Sequence, residues 1–112
     1  MLALSERVEG NIVVVALSGR VDSTNSDELT SKLRGYNSAD LRGVILDLSS
    51  LSYITSAGFR SLMLAKNDAQ ARQRNFILAG VHEKLRELLS LTGLLAIFEV
   101  YETESSALAR LN

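Results

Sequence analysis

The sequence contains no cysteine, no proline and no tryptophan, and its single histidine is His82. The absence of cysteine excludes disulfides, thiolate catalysis and cysteine-bound zinc or iron–sulfur centres. One histidine is too few for a histidine-built metal site or a local metalloprotease motif. No cofactor and no metal are therefore expected. The proline-free chain also shows no change of composition that would mark a linker between domains.

Neither charge nor hydropathy points to a nucleic acid or a membrane. Twelve basic and thirteen acidic residues give a formal charge of −1, which does not suit a nucleic-acid-binding surface. No apolar run approaches the ~20 residues that span a bilayer, and residues 1–7 do not resemble a signal peptide. We therefore expect a cytoplasmic protein. With 112 residues, 46% of them apolar, the chain is expected to form one domain over residues 1–112.

Short apolar runs, several of them rich in β-branched residues, alternate with amphipathic stretches along the chain. Residues 2–8 and 12–17, separated by a Gly/Asn turn, predict an antiparallel hairpin whose first strand lies at an exposed edge. Further strands are predicted at residues 44–48, 76–79 and 97–101. A helical pattern lies between each consecutive pair of the last four runs. This alternation favours crossover connections between the strands.

Four helices are predicted between and after these strands. Asn25 with Glu28 predicts the N-cap and a near capping box of a first helix that ends near Gly35. A second helix starts around Ser56 and ends at about residues 72–75, a third stops at Gly93, and a short final helix begins at residue 105. The predicted fold is a single-domain α/β structure with a mixed β-sheet of about five strands and about four helices, in the order β-β-α-β-α-β-α-β-α.

Ser56, which follows the central strand at the start of a helix, is the residue with the most chemical interest. Its hydroxyl is a candidate helix cap, nucleophile or phosphorylation site. The surrounding sequence lacks the leading glycine of the G-x-S-x-G nucleophile elbow. His82, the only candidate base, is predicted to be a solvated surface residue, and Asp47 is predicted to accept from amides of the following turn. No catalytic residue is therefore assigned, and the chain is not expected to be an enzyme.

Gly58 is unusual because it lies inside the first turn of the same helix. Glycine there costs roughly 0.5–1 kcal/mol relative to alanine. Its usual reason is the close approach of another backbone, which here would be that of a partner protein at the helix start. Either Thr55 or Ser56 is expected to cap the helix. From spacing alone, a protein-binding surface and a purely structural role are equally open.

Three segments resemble STAS domains, the family of the anti-sigma factor antagonists (anti-anti-sigma factors). Residues 46–59, LDLSSLSYITSAGF, resemble the family signature, an apolar strand followed by Asp-Ser-[Ser/Ala]-Gly-[Leu/Val] at a helix start. Residues 18–22 resemble its Gly-x-[Leu/Val]-Asp element, and residues 88–98 its closing Leu-x-x-x-Gly-Leu-x-x-x-Phe stretch. The resemblance covers nearly the whole chain in order and implies a STAS-like fold.

The resemblance implies a non-enzymatic switch that regulates transcription. The serine that matches Ser56 is phosphorylated by a partner anti-sigma factor, itself a serine kinase. The unphosphorylated form binds that kinase and frees a sigma factor, and a protein phosphatase resets the cycle. Thr55 stands where the family often has an acidic residue, and Ala57 where a second serine can follow; Thr55 is the alternative phosphate acceptor. The implied partner-binding positions are Asp22, Thr55, Ser56, Ala57 and Gly58.

Two alternatives accompany the resemblance, because STAS domains also occur outside sigma-factor regulation. One is a cytoplasmic accessory subunit of a lipid or anion transporter, which needs no phosphorylation. The other is a ligand-sensing module. The edge-like first strand allows either a monomer or a weak dimer.

Overall fold

The computed structural model describes residues 1–90 and 95–112. Within these residues five strands, β1 to β5, span in chain order Leu2–Glu9, Ile12–Val21, Gly43–Ile54, Asn75–Ala79 and Glu99–Tyr101. Four helices, α1 to α4, span in the same way Ser26–Ser38, Ser56–Ala71, Glu83–Ser90 and Glu104–Leu111. A short 3₁₀ turn at Leu95–Ile97 precedes β5. The predicted element order is confirmed.

The strands form one sheet in the order β1-β2-β3-β4-β5. β1 and β2 form an antiparallel hairpin, with Val8 opposite Val13. Its turn uses Gly10 at φ 64°, a left-handed conformation that glycine adopts without strain. From β2 to β5 each strand is parallel to its neighbour, so the carboxyl ends of these strands meet at one edge of the sheet. The mixed sheet and the edge hairpin are as predicted.

Helices α1, α2 and α3 pack on one face of the sheet, and α4 packs on the other. The alternation along β2 shows both layers: Val13, Val15 and Leu17 face the three-helix layer, whereas Ile12 and Val14 face α4. All five side chains are at most 2% exposed. Burial on both faces explains why this strand reads as a nearly continuous apolar run.

β2 and β3 both continue beyond their predicted ends. The apolar pattern stops at Leu17 and Leu48, but the strands run on to Val21 and Ile54. Gly19, expected to break β2, lies within it at φ 94° and beside shifts of the strand register, as in a β-bulge. Pairing between the two parallel strands sustains these extensions, which carry exposed polar residues to the edge of the sheet.

The other element ends differ from prediction by a few residues. α1 continues through Gly35 to Ser38. β5 begins at Glu99 because Ile97 belongs to the 3₁₀ turn. The predicted end of the third helix at Gly93 lies outside the described residues.

The helix starts show which side chains cap. Asn25 occupies the N-cap position of α1, but its side chain makes no capping bond. Its Oδ1 instead accepts from the Asp22 amide at 3.0 Å, so the predicted capping box is wrong. α4 begins at Glu104, one residue earlier than Ser105, because Thr103 forms a capping box at this end.

Candidate functional site

The carboxyl ends of β2 and β3 bring two of the predicted site segments together. Val21 lies opposite Ile54 in the parallel register, and the Thr55 amide donates to the Val21 carbonyl at 3.0 Å. The residues that follow these two strands therefore lie at the same edge of the sheet. Asp22 comes directly after Val21 and precedes α1, whereas Thr55 comes directly after Ile54 and precedes Ser56, the first residue of α2. The starts of both helices, with their partly positive ends, face this edge.

Thr55 is the cap of α2. Its hydroxyl accepts from the Gly58 amide at 3.3 Å and lies 3.4 Å from the Val21 carbonyl, to which it donates. Its own carbonyl accepts the Phe59 amide at 2.8 Å. Of the two residues expected to cap the helix, Thr55 takes the role, and its half-buried hydroxyl is engaged on both sides.

Ser56 is the first residue of α2 and is exposed. Among the residues that the structure describes, no group hydrogen-bonds its hydroxyl. The first turn of α2 also contains no acidic side chain, so no carboxylate of this turn competes for the positive end of the helix. An exposed, unengaged hydroxyl at such a point can receive a phosphoryl group without disturbing an existing bond.

Asp22 organises the loop between β2 and α1. Its Oδ1 accepts from the Thr24 amide at 2.9 Å and from the Thr24 hydroxyl, and its Oδ2 accepts from Arg20 Nε at 3.1 Å. The Thr24 hydrogen bonds, with the positive charge of Arg20, lower the pKa of Asp22. Its carbonyl accepts the Ser26 amide at 2.9 Å. Asp22 is therefore a fixed negative charge at this edge at neutral pH.

Arg20 and Tyr53 extend the site and were not found by sequence reasoning. They lie opposite each other in the β2–β3 register, and the Arg20 guanidinium carbon lies 5.2 Å from the centre of the Tyr53 ring, a cation–π distance. Tyr53 is 38% exposed. Only the register brings these residues together, and it depends on strand extensions that the apolar pattern does not show.

Gly58 is buried, and its close neighbours belong to the same chain. A Cβ built on Gly58 would lie 2.7 Å from Val21 Cγ1 and 2.8 Å from Ile54 Cγ1. The absence of a side chain lets the first turn of α2 settle against the ends of β2 and β3. The sequence-based explanation, that the backbone of a partner protein approaches Gly58, is therefore wrong: the close neighbours are side chains of β2 and β3. Ala57 beside it is half-buried.

An apolar pocket of about 60 Å³ lies beside Ser56. It is lined by the site residues Thr55 and Ser56 and by the apolar side chains of Ile54, Phe59, Leu88 and Leu89. The pocket is much smaller than the roughly 300–1,000 Å³ of ordinary small-molecule sites. Such a surface, with one hydroxyl beside a small apolar depression, suits contact with a protein better than capture of a ligand.

His82 is not the solvated residue that the sequence predicts. It is half-buried, and its Nε2 lies 2.6 Å from the Leu51 carbonyl. Its Nδ1 accepts the Leu85 amide at 3.3 Å, so the ring caps α3 and ties it to β3. With Nδ1 accepting, Nε2 carries the proton and donates. Both ring nitrogens are engaged by backbone groups, the Leu51 carbonyl and the Leu85 amide, and neither is hydrogen-bonded to Ser56 as the base of a serine triad would be.

Replacing His82 with alanine should lower the free energy of unfolding by about 1–2 kcal/mol, since a cap and a partly buried hydrogen bond are lost. Urea denaturation at neutral pH measures the change. His82→Asn is the matched control, because asparagine is a good N-cap but is too short to reach Leu51; it should recover about half of the loss. An alanine variant as stable as the wild type would show that the ring does not hold α3.

No group of three or more potential metal ligands occurs within residues 1–90 and 95–112. No helix in these ranges is long and apolar enough to cross a membrane.

Comparison with known proteins places the chain in a family. The model of the STAS domain matches residues 4–107. BtrV of Bordetella bronchiseptica, which carries the name anti-sigma factor antagonist, is 31% identical over 104 residues, covering 93% of this chain and 89% of that protein.

Solved structures have the same fold. An anti-sigma factor antagonist from Mycobacterium paratuberculosis gives a TM-score of 0.86 at 21% identity, covering 98% of this chain and 93% of that one. The phosphorylated form of the Bacillus cell fate determinant SpoIIAA gives a TM-score of 0.75 at 20% identity, covering 98% of this chain and 100% of that one. The chain therefore belongs to the STAS domain family, and its relatives include proteins named anti-sigma factor antagonists.

Proposed function

We propose that this STAS domain is an anti-sigma factor antagonist whose binding is switched by phosphorylation of Ser56. The single observation that carries the proposal is the state of the Ser56 hydroxyl, which is exposed at the first position of α2 while Thr55 already caps the helix. The names of the relatives support an anti-sigma factor as the partner.

In the proposed cycle the chain is a binding partner and a substrate, not an enzyme. The unphosphorylated form binds an anti-sigma factor with serine kinase activity in the cytoplasm, and a sigma factor is released. The kinase then transfers a phosphoryl group to Ser56, and the complex dissociates. A protein phosphatase removes the phosphate and restores binding.

The partner-binding surface in this proposal comprises Asp22, Thr55, Ser56, Ala57 and Gly58. The side chains of Asp22 and Ser56 supply a fixed negative charge and a free hydroxyl at the surface. Thr55 and Gly58 act from beneath, because the cap and the close packing hold the helix start in place. The half-buried Ala57 adds a small apolar contact.

The fold is expected to tolerate the phosphate. A phosphoserine brings about −1.5 to −2 charges at pH 7, and a helix N-terminus offers free amides and a positive dipole end to that charge. The Thr55 cap stays intact, because the phosphate is added to its neighbour. The affinity for a docked partner should fall, because the phosphate adds bulk and a strongly hydrated charge at the contact.

Ser56 is a better acceptor than Thr55 for a geometric reason. The Thr55 hydroxyl must leave both the Gly58 amide and the Val21 carbonyl to reach a kinase. Loss of an N-cap typically destabilises a helix by about 1 kcal/mol, whereas the Ser56 hydroxyl gives up no bond.

The test is to map the phosphate after incubation with the anti-sigma factor kinase of the native host and Mg-ATP. Intact-mass analysis should show one phosphate on the wild type and none on Ser56→Ala. Ser105→Ala is the matched control, because it removes an exposed serine from the first turn of α4 and should leave phosphorylation unchanged. A phosphate on Thr55, or an undiminished yield with Ser56→Ala, would overturn the assignment.

A further inference from the structure

The outer edge of the sheet is formed by β1, which among the described residues pairs with β2 and with no other strand. β1 is eight residues long, more than the usual strand length of about 5–6 residues. It contains no proline and no lysine, and its register with β2 has no bulge. Edge strands usually carry such features, or are short, which prevents pairing with another chain. The edge of β1 is therefore open to a further strand.

The hydrogen-bonding pattern shows which residues of β1 direct their backbone outward. The Arg20 amide donates to the Met1 carbonyl at 3.0 Å, and this bond flanks the facing pair Leu2–Gly19. A pair flanked in this way is not itself hydrogen-bonded, and the two kinds of pair alternate along an antiparallel ladder. Every second residue of β1 therefore points its N–H and C=O groups away from β2. These residues are Leu2, Leu4, Glu6 and Val8.

The side chains of the same four residues lie on the face of the sheet that carries α1. Leu2 and Leu4 pack against the core of this layer, whereas Val8 is 62% exposed. An open pocket of about 270 Å³ lies between Leu2 and Leu4 on one side and α1, with Leu29 and Lys32, on the other. One end of the strand thus exposes an apolar side chain, and the other end borders an apolar depression.

We propose that the β1 edge is a self-association surface, on which a second copy of this chain pairs its own β1 antiparallel about a two-fold axis at Ser5. The two sheets then become one continuous sheet, as in β-strand addition, where main-chain hydrogen bonds supply the affinity. None of the paired residues belongs to the Ser56 site, so this inference does not depend on the proposed function.

Backbone geometry and charge select Ser5 as the centre of the pairing. Two sheets that continue across a two-fold axis keep their faces, so each side chain faces one on the same side of the sheet. A centre at Ser5 pairs residues 2–8 of each copy, whereas a centre at Leu4 pairs only residues 2–6. A centre at Glu6 or Arg7 places two like charges directly opposite each other, which is destabilising. With Ser5 at the centre, the hydrogen-bonded pairs are Leu2–Val8 and Leu4–Glu6, each formed twice.

The apolar side chains favour the same register. Val8 of the second copy lies beside Leu2, on the face where the pocket between β1 and α1 opens. Its exposed side chain then covers the mouth of this pocket, and the two-fold axis repeats the contact at the other end of the strand. An exposed valine and an apolar depression on one chain are therefore complementary to those of a second copy.

The charged side chains of β1 do not oppose this register. Arg7 faces Ala3 of the second copy and already pairs with Glu104 of its own chain at 2.8 Å. Glu6 of the second copy approaches the pocket, whose α1 side carries one acidic and one basic side chain. Glu9 lies beyond the paired residues. The pairing thus brings no two like charges of β1 directly opposite each other.

A disulfide test measures the register directly, because the chain has no cysteine of its own. Ser5 faces its counterpart in a non-hydrogen-bonded pair, where Cα atoms lie about 4.5 Å apart, within the range of disulfides. Ser5→Cys should therefore give mainly covalent dimer on mild oxidation, measured by intact mass. Ala3→Cys is the matched control, since this exposed residue lies on the same face. It would be roughly 13 Å from its counterpart and should stay mainly monomeric.

Sedimentation velocity measures the association without a cross-link. The small interface predicts a weak dimer of the wild type that appears between about 10 µM and about 1 mM protein. Glu6→Pro should raise the dissociation constant at least about tenfold, because proline removes an outward N–H without breaking a bond to β2. Glu6→Ala is the matched control and should associate like the wild type.

Three results would overturn the proposal. The first is a wild type that remains monomeric at about 1 mM, the upper end of the range expected for a weak dimer. The second is equal cross-linking of Ser5→Cys and Ala3→Cys. The third is undiminished association of Glu6→Pro, with circular dichroism checking that this variant is folded. The cysteine variants test the same register without a change in the backbone.

Discussion

Replacing Gly58 with alanine should lower the free energy of unfolding by about 2 kcal/mol. The new Cβ would lie within 3.0 Å of Val21 Cγ1, Val21 Cβ and Ile54 Cγ1. Val21 and Ile54 are stiff at χ1 and are 0% and 5% exposed, so neither can turn away freely. Overpacking of this kind costs typically 1–3 kcal/mol, partly offset by the better helix propensity of alanine, which is worth up to about 1 kcal/mol.

Gly35 is the matched control for this prediction. It lies within α1, is exposed, and has nothing within 4 Å of a built Cβ. Gly35→Ala should therefore raise the free energy of unfolding by about 0.5–1 kcal/mol. Urea denaturation of the two variants gives opposite signs if the packing around Gly58 is as described. A stabilising Gly58→Ala would show that α2 can move off the strand ends without loss.

Ser56→Asp should weaken binding to the anti-sigma factor by at least about thirtyfold, equivalent to about 2 kcal/mol. A charge placed at the centre of the proposed contact must lose its water when the partner docks. The melting temperature should change little, because a negative charge in the first turn of α2 is favourable by about 0.3–1 kcal/mol. Isothermal titration and thermal denaturation together measure both effects.

Neutral variants of Ser56 separate charge from bulk. Ser56→Asn has nearly the same shape as the aspartate variant without its charge and should retain most of the affinity. Ser56→Ala should bind like the wild type. If Ser56→Asp also binds like the wild type, Ser56 lies outside the contact surface, and the switch must act elsewhere.

The element order was predictable because each strand and helix has its own apolar pattern. The run at the centre of β3 and the helical spacing of Leu29 and Leu33 can each be interpreted without tertiary information. The ends of β2 and β3 were not predictable, because Gly19 and the serines of β3 become strand residues only when the two strands pair. Strand extension is decided by a neighbour that is distant in sequence.

The candidate site likewise combines features that local sequence patterns predict with features that depend on residues distant in sequence. Local sequence signals alone predict that Ser56 lies at the start of one helix and that Asp22 precedes another helix. His82 looked solvated because its partner Leu51 lies 31 residues away. Capping by Thr55 in place of Ser56 required the backbone geometry of the turn.

The most direct measurement compares one protein in two states. Wild-type protein is phosphorylated by the host kinase and purified, and its affinity for the anti-sigma factor is determined beside that of the unmodified protein. We expect tight binding of the unmodified form, loss of binding by at least about thirtyfold after phosphorylation, and nearly equal melting temperatures. Equal affinities of the two forms, or unfolding of the phosphorylated form, would contradict a surface switch at Ser56.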